Sequence, residues 1–588
     1  MRAALQALPR SARFMPFVMH RLSLRAIQLV VGLGILALLL RILVASGHSI
    51  IPASDETGYL SDGLLLLEGL APGYKHVPSA PIDWLVMLTT GVHTLGLWLF
   101  GPAELGGSAA TGVVAPILRP LLAMEQALFA AYADLNGLRL MIVVLQVLVG
   151  ATAAAATTWR GWSIAGLPGA LLAGALAAGT PLFVEFTSET RAYSLAWSLG
   201  LLAFAALADS RPQRRALASG VLIGLAIATR VEMGLAFVPL LLELLWREDR
   251  SRRARTFFIC LAVAGATFVI AAPWYVTSLA GNLRQIISVR LLTPPPGGGS
   301  LLGLVGEFAQ AGIAGPIVIT IAGLLVASRG PGRWFNRAIG VWIALLGALA
   351  LKPSIHGLRH DGALLLLTAV MVPEAIEQSL AVLASARLRQ VVTVVAALLG
   401  LQVTVAGARA AWGTYGNAVQ GDPVAWLEHN VPAGSTVYWV DGFKVPLPTV
   451  EASERLWAET ANADAWRLKY RHAAERLALG GRLPRAMSED PMQLERSQRR
   501  KWFILGAAVD TIRPRFDIHV VADGTPFAMT FADLMARLCA QGGTYVHIGA
   551  PIERLGKSRM QWTPANGSVN GVIIYTVEPP KPGEAKGC

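Results

Sequence analysis

Residues 84–100 read WLVMLTTGVHTLGLWLF. The run is almost as long as the roughly 20 apolar residues that cross a bilayer. Whether it crosses decides on which side of a membrane every later segment lies. The chain around it has 588 residues, 54% hydrophobic and 15% charged, where a soluble globular chain averages about 25% charged. Its mean hydropathy is +0.52. That balance excludes a soluble enzyme, a disordered chain and a small disulfide scaffold. Eleven other runs read as spanning helices: 27–45, 138–158, 167–187, 190–208, 216–230, 232–246, 256–276, 303–327, 335–351, 360–378 and 388–411.

Charge settles the status of 84–100. Cytoplasmic loops carry excess Arg and Lys. Residues 1–26 hold Arg2, Arg10, Arg13, Arg21 and Arg25 and no acid. The loops 209–215 (DSRPQRR), 247–255 (REDRSRRAR), 328–337 (SRGPGRWFNR) and 385–389 (SARLR) are each two spans apart. They share one side, and it should be that of the basic N-terminus. An even number of spans must then precede residue 209, which holds only if 84–100 does not cross. We therefore read it as a helix lying in or dipping into the outer interface. The net charge of +13 is concentrated in these loops, so no nucleic-acid partner is expected. Residues 27–45 read as an uncleaved signal anchor rather than a signal peptide, since Arg41 sits near the end of the run.

The expected architecture follows. It is an α-helical polytopic membrane protein of about 11 transmembrane helices, in a bacterial cytoplasmic membrane. A basic cytoplasmic N-terminus (1–26) precedes a transmembrane domain (27–411) whose long external loop, 46–137, holds eight acids and two bases. Residues 412–588 lack a span and read as a soluble external α/β domain. Its strand-like runs are 435–440, 501–506, 517–521, 544–548 and 571–577, and its helical patterns 422–430, 451–479 and 530–541. Cys260 lies in an apolar run; Cys539 and Cys588 could pair in an oxidising compartment. The loop Pro294–Ser300 (PPPGGGS) reads as a substrate gate or as a plain linker.

Three clusters of reactive groups fall on the outer face in this topology. Asp55-Glu56 follows the first span, and two carboxylates there can act as base or orient a hydroxyl; they can equally cap the next helix. The turn FVEFTSETRAYSLAW holds Glu185, Glu189, Arg191 and Tyr193. Charges at membrane depth are costly and usually functional, although Glu189–Arg191 also reads as a surface pair. KPSIHGLRHDGALLLL gathers Lys352, His356, Arg359, His360 and Asp361. Cations there can hold a phosphate or snorkel to headgroups. Thr229-Arg230-Val231-Glu232 is a fourth, weaker spot at an outer helix turn. No metal-ligand spacing, phosphate loop or nucleophile elbow is present.

The order of these clusters resembles the GT-C superfamily of polytopic glycosyltransferases, in particular the protein mannosyltransferases and the lipid A aminoarabinose transferase group. The likeness runs over residues 25–380. The family's acidic pair, Tyr, Gly-ending helix and Pro-rich lead-in to a Trp-bearing interfacial helix are similar to Asp55-Glu56, Tyr59, Gly69, and Pro78 and Pro81 before Trp84. Its Gly-aromatic-Arg-Leu step is similar to Gly137-Leu138-Arg139-Leu140, its Glu-x-Arg-x-Tyr loop to Glu189–Tyr193, and its late Arg-Tyr step and Pro to Arg359-His360 and Pro373. Two departures stand out. The aminoarabinose branch usually has a Lys before its Pro-Pro, where Pro78-Ser79-Ala80-Pro81 stands here with Lys75-His76 upstream. Many members have Asp where this chain has Glu189.

The resemblance implies sugar transfer with inversion from a polyprenyl-phosphate donor to a glycolipid, polysaccharide or protein acceptor. It makes Asp55, Glu56 and Glu189 the catalytic candidates. Arg191, Arg359, Lys75 and His356 become donor-phosphate ligands, and Tyr59, His76, Tyr193 and His360 substrate contacts. No cofactor is implied, and metal-independent transfer is expected although some members use a divalent ion. Membrane lipids are the remaining partners. The rival class is a transporter or flippase of a lipid-linked envelope precursor. Transporters tend to repeat a half-structure with broken helices, and no such repeat is found. A third class is a non-catalytic envelope scaffold acting through residues 412–588.

Overall fold

The computed structural model describes residues 23–46, 59, 63, 66, 80–100, 135–188, 192–277, 306, 308–309, 311–329, 333–350, 362–383, 386–421, 423–440, 516–521, 530–548, 552, 555, 559–562 and 572–578. The chain divides into two compact units. One comprises Met1–Val44, His76–Pro81 and Leu145–Trp412; the other comprises Ala45–Lys75, Ile82–Val144 and Gly413–Cys588.

The first unit is a helix bundle. Its helices are α1 (Leu24–Ser46), then α2 (Ala80–Phe100) and α3 (Leu135–Gly179), each of which begins in one unit and ends in the other or crosses between them. From Ile82 on, α2 belongs to the second unit, and α3 belongs to the first from Leu145 on. There follow α4 (Pro181–Glu185), α5 (Ala192–Ala206), α6 (Pro212–Thr229), α7 (Gly234–Arg247), α8 (Arg250–Ala271) and α9 (Pro273–Thr277). The last of the bundle are α10 (Ala314–Ala327), α11 (Arg333–Ala350), α12 (Gly362–Leu383) and α13 (Ala386–Gly421).

Glycine contacts give the helix directions without reference to charge. α3 reverses at Gly166, whose φ of 65° and ψ of −142° are open to glycine and strained for other residues. Pro168 follows in the first turn of the second arm, where no N–H is needed. The arms pack so closely that a Cβ on Gly161 would lie 2.5 Å from the Gly169 carbonyl oxygen. α1 runs against the first arm, since Gly34 faces Ala155 and Arg41 faces Gly150. α6 and α8 run parallel, with Gly220 on Cys260 and Gly224 on Ala264. α5 and α12 also run parallel, with Gly362 against Trp197 and Gly200 against Leu366. The Arg-rich turns 209–215 and 247–255 and the residues 328–329 and 333–337 therefore gather at one end, and residues 180–188 and 230–233 at the other.

Burial separates the bundle's centre from its rim. α5 is buried almost all round, and 83% of the apolar stretch of α12 is buried, against 22% in α1 and α13. On α1 the exposed residues Ile27, Val31, Ile35, Leu39 and Ile42 form one stripe. On α13 the same holds for Val391, Val394, Val395, Leu398 and Leu401. Apolar stripes turned outward at helical spacing suit lipid rather than water. Among the described residues five helices are long and apolar enough to cross a membrane, and α2 is not one of them. The chain is a multi-pass membrane protein.

Several helix limits differ from expectation, each with a local cause. The run 167–187 stops at Gly179, because Pro181 cannot continue the backbone ladder. The run 303–327 is interrupted by Gly312 at φ 72°, and its continuous helix starts at Ala314. The run 256–276 breaks at Ala272 before Pro273. α13 continues to Gly421, beyond the expected end at 411.

After α14 (Pro423–Asn430) come β1 (Thr436–Val440), β2 (Asp517–Val521), α15 (Phe531–Gln541), β3 (Gly543–Ile548), β4 (Met560–Trp562) and β5 (Val572–Val577). They form one mixed sheet in the order β2-β1-β3-β5-β4. β1 pairs in parallel with β2 and β3, and β5 runs antiparallel to β3 and β4. α15 is capped by Thr530, whose hydroxyl accepts from the Asp533 N–H at 3.1 Å. Its apolar face packs Leu534 and Leu538 onto Tyr438, Tyr545, Ile573 and Tyr575. The runs 501–506 and 451–479 lie outside the described residues, as does Cys588. Cys260 is buried and free.

Candidate functional site

At the end of the bundle away from the Arg-rich turns, two of the sequence clusters meet. Tyr193 stands at the head of α5, and Arg230 at the tip of α6. The Arg230 guanidinium carbon lies 4.1 Å from the centre of the Tyr193 ring. Arg230 Nη2 also donates to Glu232 Oε1 at 2.6 Å, with both side chains nearly buried. A cation held over an aromatic face contributes about 0.5–2 kcal/mol, most when desolvated.

The sequence builds this spot by interrupting helices. α6 ends at Thr229 because Arg230 is extended, at φ −150° and ψ 116°. A single 3₁₀ turn, Val231–Met233, carries Glu232 back beside Arg230 before α7 starts at Gly234. On the other side α4 passes into a 3₁₀ turn at Phe186–Ser188. An aromatic floor supports both. Phe183 and Trp197 lie 5.1 Å apart, Phe186 and Tyr193 5.1 Å, and Tyr193 and Trp197 5.7 Å between ring centroids. The Thr187 and Ser194 hydroxyls approach to 3.2 Å across the turn. Trp197 is itself 2% exposed, so it is a support and not a stacking surface for ligand.

Gly362 is the first described residue after the third cluster. A Cβ there would overlap the Trp197 indole nitrogen. Gly362 thus lies against α5, one turn from Tyr193. In the second unit, Tyr59 is helical and half-buried. Gly63, one turn later, abuts the first turn of α2, where a Cβ would sit 2.7 Å from the Asp83 carbonyl. The remaining expected site residues, Asp55, Glu56, Lys75, His76, Glu189, Arg191, His356, Arg359 and His360, lie outside the described residues.

The opposite end holds a second polar assembly. Arg160 Nη2 donates to both oxygens of Glu243 at 2.7 and 2.8 Å, and its Nη1 to the Phe204 carbonyl at 2.9 Å. Arg247 joins Glu243 and Glu374, each at 2.8 Å. Asn336 bridges Gln378 at 2.6 Å and the Ala327 carbonyl at 3.0 Å. Arg215 pairs with Glu248. Two cations balance two acids in the Arg160–Glu243–Arg247–Glu374 core, which ties α3, α5, α7 and α12 together. With its charges mutually satisfied, this assembly is a structural clamp.

Sequence reasoning named Arg230 and Glu232 without giving them a role. Charges placed where two apolar helices turn were the available signal. The contact of Arg230 with Tyr193, 37 residues earlier, was not readable. Among the described residues no three His, Cys, Asp or Glu side chains gather as metal ligands.

Residues 167–276 match the profile of the dolichyl-phosphate-mannose-protein mannosyltransferase family. That stretch contains Phe183, Tyr193, Trp197, Arg230 and Glu232. Two solved structures are similar to the chain. ArnT from Cupriavidus metallidurans bound to undecaprenyl phosphate is 12% identical, covers 93% of this chain and 97% of its own, and has a TM-score of 0.45. The same protein in the apo state is 12% identical, with 94% and 99% covered and a TM-score of 0.44. No match was found among curated proteins.

Proposed function

We propose that this chain is a glycosyltransferase. It moves a sugar, with inversion, from a polyprenyl-phosphate-linked donor to a glycolipid, polysaccharide or protein at the outer face of the bacterial cytoplasmic membrane. The observation that carries the reading is the family match over residues 167–276. It falls on the stretch that supplies Tyr193, Arg230 and the aromatic floor beneath them.

In the reaction, the acceptor hydroxyl or amine attacks the anomeric carbon. The bond from that carbon to the phosphate oxygen breaks, and polyprenyl phosphate leaves with its electron pair. Asp55 takes the acceptor proton, and Glu56 orients the acceptor. The leaving group is already an anion, so it needs cations rather than a general acid. Arg191 and Arg359 fill that role, with Lys75 or His356 as further candidates. Arg230 is engaged by Glu232 at 2.6 Å, so we assign it to holding the Tyr193 ring. Glu189, His76, His360 and Tyr59 complete the proposed site. We place no divalent metal in the step, and transfer should persist in chelator.

The Arg-rich end of the bundle faces the cytoplasm in this reading, and the Tyr193 end faces outward. Residues after α13 then form an external α/β domain. Mass spectrometry of envelope glycolipids from cells with and without the gene tests the function. Loss of the gene should remove a sugar from one acceptor and accumulate the polyprenyl-phosphate sugar. No change in either species refutes the reading. A donor that accumulates only on the cytoplasmic side points to a flippase instead.

A further inference from the structure

Arg41 is the only charged residue of α1 beyond Arg25, and it is 2% exposed. Charge at that depth is costly unless its surroundings compensate it. Its hydrogen bonds among the described residues all go to carbonyls. Nη1 donates to Ala37 and Ala178, and Nη2 to Ala177, each at 3.2 Å. Ala177 and Ala178 are in the last turn of α3. The carbonyl of Ala177 would ordinarily accept from residue 181, but residue 181 is Pro and has no N–H. Thr180 directs both its N–H and its hydroxyl to Leu176, at 3.2 and 2.6 Å. The end of the helix is also its negative pole. Arg41 therefore supplies the donors and the charge that the Pro181 break leaves wanting.

The surroundings are built for this. Gly150 leaves room for the guanidinium, since a Cβ there would lie 2.5 Å from Arg41 Nε. Leu40 and Val44, on either side of Arg41, pack with Val184 of α4 and Ala411 of α13. The same stretch of α1 thus grips the chain on both sides of the break.

We propose that Arg41 is a positioning residue for the crossover that starts at Thr180. By closing the Ala177 carbonyl left open by Pro181, and the Ala178 carbonyl next to it, it fixes the direction in which the chain leaves α3. It thereby sets where Tyr193, at the head of α5, is delivered. Only the kinetic part of its test rests on the glycosyltransferase reading.

The test is hydrogen exchange of the full chain in nanodiscs, followed by mass spectrometry, with donor kinetics in parallel. Arg41→Met should speed exchange at amides 182–188 by about tenfold or more, while amides 234–247 stay within about twofold of wild type. It should lower kcat about ten- to a hundredfold, the scale of a small misplacement of reacting groups. Arg41→Lys keeps the charge without the fork and should fall between. Adding Pro181→Ala to Arg41→Met returns an N–H to Ala177 and should recover part of the protection. Unchanged exchange at 182–188 in Arg41→Met overturns the proposal. So does an increase shared equally by 234–247, which would mark a general loss of stability. Should Arg41→Met fail to fold, Arg41→Lys decides by the same two regions. Should the wild type transfer no sugar, the function above fails while the exchange result still decides Arg41.

Discussion

Glu243→Gln should be among the most damaging single changes to the fold, although it adds or removes almost no volume. Glu243 is fully buried and accepts three hydrogen bonds, two from Arg160 and one from Arg247, at 2.7–2.8 Å. A carboxamide keeps one acceptor. Its NH₂ then faces a guanidinium N–H where Oε2 accepted before, so one hydrogen bond becomes a clash of donors. The loss of charge costs more than that clash. Arg160, Arg247, Glu243 and Glu374 sum to zero, and the substitution leaves one buried positive charge uncompensated. Breaking such a pair from one side costs about 3–5 kcal/mol. Unfolding in detergent by SDS titration reads this directly. The double variant Glu243→Gln, Arg247→Met restores neutrality, leaving Arg160 with Glu374 at 3.9 Å, and should recover at least about half of the loss. A loss below about 1 kcal/mol for Glu243→Gln is what an exposed pair would give, and it would refute the assignment of this assembly as a buried clamp.

Reporter fusions at residues 115 and 420 should both report an outside location. A cytoplasmic signal at 115 would mean that α2 crosses the membrane and that the orientation is wrong. Arg191→Lys and Arg359→Lys should each weaken donor binding while the protein still folds, because an ammonium does not reproduce a bidentate grip on phosphate. Unchanged donor affinity in both variants, measured by titration calorimetry, moves the phosphate site to Lys75 and His76.

Much of the helix order was legible because each apolar run is long and each break has a chemical mark. Gly166, Pro181, Pro273 and Gly312 all stand where the ladder stops or turns. The limits were less legible. A run such as 303–327 stays apolar through a glycine, and hydropathy does not register φ. The three residues of β4, Met560–Trp562, are too few to show a period. The strands around Val437, Tyr545 and Ile573 were readable by their β-branched and aromatic content. The site was legible as types of residue and as a shared end, not as contacts. Tyr193 and Arg230 belong to different helices, and only the arrangement of α5 beside α6 brings them to 4.1 Å. Arg41 escaped notice as anything but a mark near the end of a span. Its use depends on a proline 140 residues later in the chain.

The proposed reaction is transfer of sugar from a polyprenyl-phosphate-linked donor with Asp55 as base. The measurement that tests it most directly is the release of polyprenyl phosphate by purified wild type and Asp55→Asn, given donor and envelope acceptors. Asn keeps the size of the side chain and is among the best helix N-caps, so a capping role predicts near-normal turnover in the variant. Loss of a general base predicts a fall of about 10²–10⁴-fold with an unchanged melting profile. Release by the wild type and that fall in the variant are the expected result. A wild type that releases nothing contradicts the transferase reading. A variant that keeps more than about a tenth of wild-type turnover, short of the smallest loss expected for a base, removes Asp55 from the chemistry and leaves Glu189 as the next candidate.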